Sequence, residues 1–286
     1  GLGLHVTANV TSGDPPLAPS PFLPPLLRFS SGDVVSSPQL WQARRQEVAT
    51  LVQEYLLGTV PPERPALTAS RTLNTTTMPR NATSSFVRLT FEASAGGTSR
   101  QNISFDIEIL QPAVDDSRTK LPLFLTMYTH RPWALTGLAR GYIAAVVPNC
   151  DGQDIAPAFQ SVYAPKYSMA LIMARAFVAS LTLDYVLTLP RVNSQEVAIT
   201  GHSRNGKLSL VAAAFDERIT AVVGSSPGAP IATPFRFSSA MYFGQDAVTS
   251  PPPSGWFSWL IAKWRTFIGR ENEMPRLRLK KRKRPD

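Results

Sequence analysis

Residues 196–207, with the sequence EVAITGHSRNGK, constrain the fold more than any other stretch of the chain. The β-branched residues before Gly201 favour a buried strand, and the apolar residues 208–215 favour a helix soon after it. Gly201 and Gly206 flank Ser203, where a sharp turn favours residues without a Cβ atom. The sequence therefore predicts a strand, a tight turn and a helix, with the Ser203 hydroxyl exposed near the helix N-terminus.

This strand–turn–helix pattern has two interpretations. A serine displayed on such a turn is the nucleophile elbow of an α/β-hydrolase, although the spacing G-x-S-x-x-G has one residue more than the common G-x-S-x-G. The alternative is an ordinary turn in which Ser203 only caps the helix. That alternative leaves Arg204 and Lys207 unexplained, although exposed cations in a first helical turn are ordinary. The agreement of the motif with the predicted strand and helix favours a nucleophile.

The motif G-x-S-R-N-G-K, followed by an Ala- and Leu-rich segment that ends in FDERI at 215–219, resembles the glucuronoyl esterases. An upstream pattern with Trp41 and the sequence YLLGTVP at 55–61 is similar to the same family. The resemblance extends over residues 37–275 and is strongest around the serine motif.

Members of that family are α/β-hydrolases that cleave the ester between glucuronic acid on xylan and lignin alcohols. The resemblance implies that Ser203 is the nucleophile, that Arg204 helps stabilise the oxyanion and that Lys207 contacts the sugar. It also implies a glucuronate ester of a plant-type polysaccharide as the substrate, and neither a metal nor an organic cofactor.

The remaining segments predict the rest of an α/β fold. Helices are predicted at 37–58 and 168–187, and strands at 66–73, 84–93, 102–110, 121–128, 142–148 and 219–223. We expect residues 153–166 to form an irregular surface loop. The alternation of strands and helices favours a three-layer sandwich with a mostly parallel sheet, preceded by antiparallel strands. In such a sheet Ser203 lies at the carboxyl edge of the strands, where ligands bind.

Composition divides the chain into a proline-rich leader at 1–36, a body at 37–275 and a basic tail at 276–286. The net charge is +9, but the tail holds seven of the cations and one carboxylate. The body is therefore not strongly basic, which argues against a nucleic-acid-binding domain. The tail has three interpretations. It is a departure from the family, which makes the hydrolase-like domain C-terminally truncated; a polybasic segment that acts as a nuclear address or binds nucleic acid or anionic lipid; or a solvated disordered tail.

A serine nucleophile needs a base, and the sequence lacks one in the usual order. The chain has three histidines, His5, His130 and His202, and none follows Ser203, whereas α/β-hydrolases place the acid and then the histidine after the serine. Ser226 stands where many glucuronoyl esterases carry a glutamate. We therefore expect weak activity or none in this chain. The alternative function is a non-catalytic hydrolase-like domain that binds glycans or partners.

Two further positions have open interpretations. His130 follows the strand predicted at 121–128, and the loop after this strand often helps to build the oxyanion hole of an α/β-hydrolase. His130 is therefore either near the site or an ordinary loop histidine held by a backbone hydrogen bond. The aromatic residues at 256–259 either stack on a carbohydrate or belong to the core.

Four N-x-S/T sequons, at Asn9, Asn74, Asn81 and Asn102, indicate a secreted glycoprotein. The alternative is a cytosolic protein with accidental sequons. Cys150 is the single cysteine and cannot form an intramolecular disulfide. Its position at the end of a predicted strand favours a buried apolar role over that of a nucleophile. No apolar run approaches the ~20 residues that a membrane-spanning helix needs.

Overall fold

The computed structural model describes residues 25–94, 100–114, 118–148, 153–228 and 231. The chain divides into two compact units, residues 1–58 with 235–286 and residues 59–234. Cys150, the aromatic residues at 256–259, the basic tail and most of the proline-rich leader lie outside the described residues.

The described part of the first unit contains one helix, α1, which spans Pro38–Val52 and continues as a π-helical turn at Gln53–Leu57. Ser37 caps it, because its side chain accepts a hydrogen bond of 3.2 Å from the backbone N–H of Leu40. The chain leaves the helix at Gly58, where φ is 71°. The helix predicted from Ser37 to Gly58 is confirmed.

The second unit contains seven strands and four α-helices in its described residues. The strands are β1 (Ala66–Thr77), β2 (Thr83–Ala93), β3 (Gln101–Gln111), β4 (Leu121–Met127), β5 (Ile143–Val147), β6 (Val192–His202) and β7 (Ala221–Ser225). The helices are α2 (Arg131–Ala139), α3 (Ala156–Tyr163), α4 (Leu171–Val186) and α5 (Arg204–Phe215).

The strands form one mixed sheet in the order β1-β2-β3-β5-β4-β6-β7. The first three strands and β5 pair antiparallel, whereas β5, β4, β6 and β7 pair parallel. Five of the seven strands consequently run in one direction, and their carboxyl ends meet at one edge. The predicted mostly parallel sheet with antiparallel N-terminal strands is confirmed.

Helices cover both faces of this sheet and make three layers. On one face, α2 packs over β3 and β5, where Ala134 joins Leu110 and Ala144 in a buried cluster. On the other face, α3 places Phe159 against Phe105 of β3 and Phe177 of α4. Helix α4 is buried almost throughout, because α5 and the sheet enclose it. Its prediction as a core crossover helix is confirmed.

Two predictions for the connections are wrong. Residues 153–166 were expected to form an irregular loop, but they contain α3, in which Ala156, Phe159 and Tyr163 recur at helical spacing and are buried. The segment after β4 was predicted as a loop, but α2 begins at Arg131 with Pro132 in its first turn, where proline is tolerated. Among the residues that the structure describes, no helix is both long enough and apolar enough to cross a bilayer.

Candidate active site

Ser203 occupies the single residue between the end of β6 and the start of α5. Its backbone has φ 54° and ψ −119°, a conformation that is costly for a residue with a Cβ atom and is often found at functional sites. The Ser203 N–H donates to the carbonyl oxygen of Ser225 at 2.8 Å, and its own carbonyl accepts from the Lys207 N–H at 3.0 Å. The residue is half-buried and directly follows the last residue of β6, so it lies at the carboxyl edge of the sheet.

Gly201 and Gly206 permit this tight turn, as their positions in the sequence predict. A Cβ atom on Gly201 would lie 2.5 Å from the backbone carbonyl of Asn205, and one on Gly206 would lie 2.9 Å from the carbonyl oxygen of Ser225. Because those neighbours are backbone atoms, they cannot move aside without separating α5 from the sheet. The glycines therefore bring α5 against the ends of β6 and β7.

The turn that follows β4 lies beside the start of α5. The buried amide of Asn205, two residues after Ser203, donates from Nδ2 to the hydroxyl of Thr129 at 3.2 Å and lies 3.4 Å from Nδ1 of His130. The ring of His130 lies 4.6 Å from that of Trp133 and 6.4 Å from that of His202, measured between centroids. The structure therefore places His130 near Ser203, although the sequence left this open.

The second histidine at this edge, His202, is exposed, and its Nδ1 lies 3.1 Å from the hydroxyl of Ser225 at the end of β7. Ser226 follows with φ 45°. His5 lies outside the described residues. Of the two histidines near Ser203, His130 thus contacts Asn205 of α5, and His202 contacts Ser225 of β7.

Arg204 and Lys207 both lie in the first turn of α5, next to Ser203, and both are half-exposed. Cations at this position add to the positive end of the helix dipole, so the edge of the sheet around Ser203 favours a negatively charged or electron-rich group. Their predicted roles towards the oxyanion and the sugar remain predictions.

A buried carboxylate, which the sequence analysis missed, lies behind the turn after β4. Glu108 of β3 is 3% exposed and accepts hydrogen bonds of 2.6 Å from Nε and from Nη2 of Arg131, the first residue of α2. The Ser84 hydroxyl donates to the same carboxylate at 2.6 Å. Burial raises the pKa of Glu108, but the hydrogen bonds from Arg131 and Ser84 and the Arg131 charge outweigh it and hold the pKa below its ordinary value of 4.5.

An apolar groove of about 450 Å³ lies on the α2 face of the sheet, lined among others by Phe124, Trp133, Tyr142 and Val222. Trp133 is shared between this groove and the ring contact with His130. Ser203 is not among the lining residues, so the groove belongs to the face of the sheet and the candidate nucleophile to its edge.

A serine at positive φ, placed between the end of a parallel strand and the start of a helix in a three-layer sheet structure, defines an α/β-hydrolase. Residues 97–277, more than half of the chain, match the family model described as glucuronyl esterase of fungi. The chain belongs to this family.

Known proteins of similar sequence and structure agree with this assignment. The chain is 29% identical over 248 residues to a 4-O-methyl-glucuronoyl methylesterase of Phanerochaete carnosa, a match that covers 86% of the chain and 57% of that protein. A glucuronoyl esterase of Solibacter usitatus has the same fold, with a TM-score of 0.71 at 20% identity, over 90% of this chain and 75% of the other.

A third comparison is with a structure that contains a bound ligand. A mutant glucuronoyl esterase of Sporotrichum thermophile, solved with methyl 4-O-methyl-β-D-glucopyranuronate, shares the fold with a TM-score of 0.63 at 17% identity, over 94% of this chain and 70% of the other. The chain spans about half the length of the curated relatives it matches, 49% and 57% of two of them.

Proposed function

We propose that this chain is a serine carboxylic ester hydrolase of the glucuronoyl esterase type, with Ser203 as its nucleophile. The observation that carries the proposal is the backbone of Ser203, which is held at positive φ between β6 and α5 at the carboxyl edge of the sheet. Family membership supports the ester of an acidic sugar as the substrate, and the ligand of the Sporotrichum thermophile enzyme makes a methyl glucuronate ester the appropriate probe.

In the proposed reaction the Ser203 Oγ attacks the ester carbonyl carbon, and the Ser203 proton is transferred to a base. The C–O bond to the alcohol then breaks, and the alcohol leaves with a proton; water afterwards hydrolyses the acyl-enzyme. The backbone N–H of Arg204 and its guanidinium stabilise the negative carbonyl oxygen of the intermediate. The Lys207 ammonium donates to hydroxyls of the sugar.

In this proposal the rate is limited by the group that accepts the Ser203 proton. No histidine follows Ser203 in the sequence, and the nearby histidines already contact Asn205 and Ser225. We therefore expect the 286-residue chain to hydrolyse the ester slowly, because loss of the base from a serine triad typically costs several orders of magnitude.

The test is hydrolysis of methyl 4-O-methyl-glucuronate by the chain and by its Ser203→Ala variant. The matched control is Ser194→Ala, which changes an exposed serine at the opposite end of the same strand. Slow turnover that disappears in Ser203→Ala and persists in Ser194→Ala supports the proposal. Turnover that survives in Ser203→Ala excludes Ser203 as the nucleophile, and turnover at ordinary enzyme rates contradicts the expected weakness.

The same proteins distinguish the second candidate function, a non-catalytic glycan-binding domain, which is compatible with the absence of a histidine among residues 204–286. Calorimetric titration with glucuronoxylan oligosaccharides measures binding without chemistry. Binding that is equal in the chain and in Ser203→Ala, with no hydrolysis by either, supports this second candidate.

We also propose that the chain is secreted and glycosylated. Within the described residues, Asn74, Asn81 and Asn102 of the sequons are all exposed, and Asn81 lies in the turn between β1 and β2 with φ 56°. Expression through a eukaryotic secretory pathway, followed by mass spectrometry of the peptides before and after glycan removal, tests this. We expect glycans that disappear in the corresponding Asn→Gln variants; unmodified asparagine at all three positions would contradict it.

A further inference from the structure

The buried carboxylate of Glu108 connects the antiparallel part of the sheet to the turn beside Ser203. Glu108 lies opposite Val146 in the register of β3 and β5, near the carboxyl end of β5, and therefore near the same edge as Ser203. It faces α2, because Leu110, two residues on, packs against Ala134 of that helix. A carboxylate at this depth is costly unless cations and hydrogen bonds compensate for its lost hydration.

Arg131 and Ser84 supply this compensation. The guanidinium donates to both carboxylate oxygens, and this bidentate geometry both neutralises the charge of Glu108 and fixes the position of the arginine side chain. Ser84 adds a third hydrogen bond. Glu108 is only 3% exposed, so this pair is screened less by solvent than the surface pairs of the molecule.

Arg131 in turn fixes the turn that precedes it. Its backbone N–H donates to the carbonyl of Tyr128, so the 3-10 turn Tyr128–His130 is closed by the same residue whose side chain Glu108 holds. The other side of this turn accepts the hydrogen bond from Asn205 through Thr129. The turn is therefore held between a carboxylate in β3 and an amide two residues after Ser203.

We propose that Glu108 is a positioning residue for the reaction of Ser203: it holds Arg131, and thereby the Tyr128–His130 turn, in one position beside the nucleophile. The proposal rests on the proposed role of Ser203. In this fold the turn after the corresponding strand supplies a backbone donor to the oxyanion, and such donors accelerate a reaction only when they are held in place beforehand. Asp106 lies on the same strand and pairs with Arg88 of β2, but in the described part of the chain this more exposed pair has no hydrogen bond to the turn.

Hydrogen exchange of the folded chain tests the structural step independently of activity. In Glu108→Gln we expect the amides of residues 128–134 to exchange at least about tenfold faster, since Arg131, whose N–H closes the turn, is held less firmly. In the matched control, Asp106→Asn, those amides should be unchanged. Unchanged exchange in Glu108→Gln overturns the proposal. So does an equal increase across the whole sheet, since Glu108 would then stabilise only the fold.

The chemical step is tested by labelling Ser203 with a phosphonate ester, followed by mass spectrometry. We expect the maximal labelling rate of Glu108→Gln to fall about tenfold while the half-saturating probe concentration stays constant, because positioning acts on the reaction and not on binding. If Glu108 had only a structural role, the substitution would change both the maximal labelling rate and the half-saturating probe concentration, or neither of them. If the wild-type chain forms no adduct at Ser203, the nucleophile assignment fails, and hydrogen exchange alone decides whether Glu108 holds the turn. If Glu108→Gln does not fold, Ser84→Ala removes one hydrogen bond and should show the same changes at smaller size.

Discussion

Two carboxylates of the second unit, Glu108 and Asp216, are held by the same chemistry at different places. Each is buried, each accepts hydrogen bonds from an arginine at both of its oxygens, and each also accepts one from a serine, Ser84 or Ser180. Burial raises the pKa of Asp216, but hydrogen bonds from Arg218 and Ser180 and the Arg218 charge outweigh it, so the pKa lies below its ordinary value of 3.8.

The two clusters differ in what they join. Arg218 also donates to Oδ1 of Asp184 in α4 at 2.7 Å, and Arg64 donates to both oxygens of the same carboxylate at 2.8 Å, so this cluster ties the end of α5 to α4. It lies at the far end of α5 from Ser203, about 18 Å away along a helix of 12 residues. The Glu108 cluster lies behind the turn beside Ser203. The two clusters therefore share their chemistry and differ in position, and the proposed role of Glu108 depends on that position.

The largest loss of stability is expected from breaking the cluster at the far end of α5. Arg218→Met leaves Asp216 buried without its cation and should lower the free energy of unfolding by about 3 kcal/mol, the low end for such a loss because Arg218 is 36% exposed. Urea unfolding measures this. Arg100→Met, at an exposed arginine paired with Glu92, should change little. In the folded Arg218→Met protein the labelling rate of Ser203 should be unchanged; a selective fall in that rate would erase the distinction between the clusters.

A smaller loss of stability, about 2 kcal/mol at pH 7, is expected from Arg131→Gln, because Arg131 is 37% exposed and glutamine retains a donor. Here the labelling rate of Ser203 should fall as well, in contrast to Arg218→Met. Urea unfolding and labelling on the same preparations check the two results. Equal labelling by the variant and the wild-type chain would show that the turn needs no support from Arg131.

The pH dependence of stability sharpens the comparison. In the wild-type chain both carboxylates have lowered pKa values, so their stabilisation is complete above about pH 5 and is lost as the pH falls through the folded values. In Arg131→Gln the arginine charge and its bidentate hydrogen bonds are lost, so burial, the largest effect on Glu108, should outweigh the remaining hydrogen bond from Ser84 and raise the pKa of Glu108 above 4.5. The dependence of stability on the ionisation of this group then has the opposite sign. The stability deficit of the variant should therefore shrink as the pH falls from 7 towards about 4. A deficit that is constant with pH would contradict this account.

The smallest loss of stability is expected from removing the contact between the Tyr128–His130 turn and α5. Thr129→Val removes one acceptor of the buried Asn205 amide and should cost about 1 kcal/mol, the usual size for one hydrogen bond. Thr68→Val removes an exposed hydrogen bond to the carbonyl of Thr90 and should have almost no effect. Thermal unfolding of both variants measures the difference. Equal decreases in the melting temperature would show that the contact between the turn and α5 contributes no more than an exposed hydrogen bond.

Much of the fold was predictable because local patterns determine it. The two glycines around Ser203 act on backbone atoms within a few residues, so the sequence alone predicts the turn. The alternating residues Phe105, Ile107 and Ile109 predict a strand with one buried face, and the structure packs Phe105 of that face against α3. Helix α3 was missed because it has only eight residues and because Phe177, which packs against its Phe159, lies on a later helix.

The Glu108 cluster could not be predicted, because the same alternation places Glu108 on the polar face of the strand. That face is covered only because α2 packs over it, and Arg131 is 23 residues away in the sequence. The neighbourhood of His130 and Asn205, 75 residues apart, depends likewise on the pairing of β4 with β6. Contacts between distant segments set these positions, and the sequence contains no local pattern for them.

The positive φ of Ser203 also restricts which side chains can replace it. A second branch at Cβ is strongly disfavoured in this backbone conformation, so threonine would strain the turn that places its hydroxyl. Cysteine has the same unbranched Cβ and would present its sulfur where the serine presents oxygen. The turn therefore tolerates a change of the attacking element more easily than one additional methyl group.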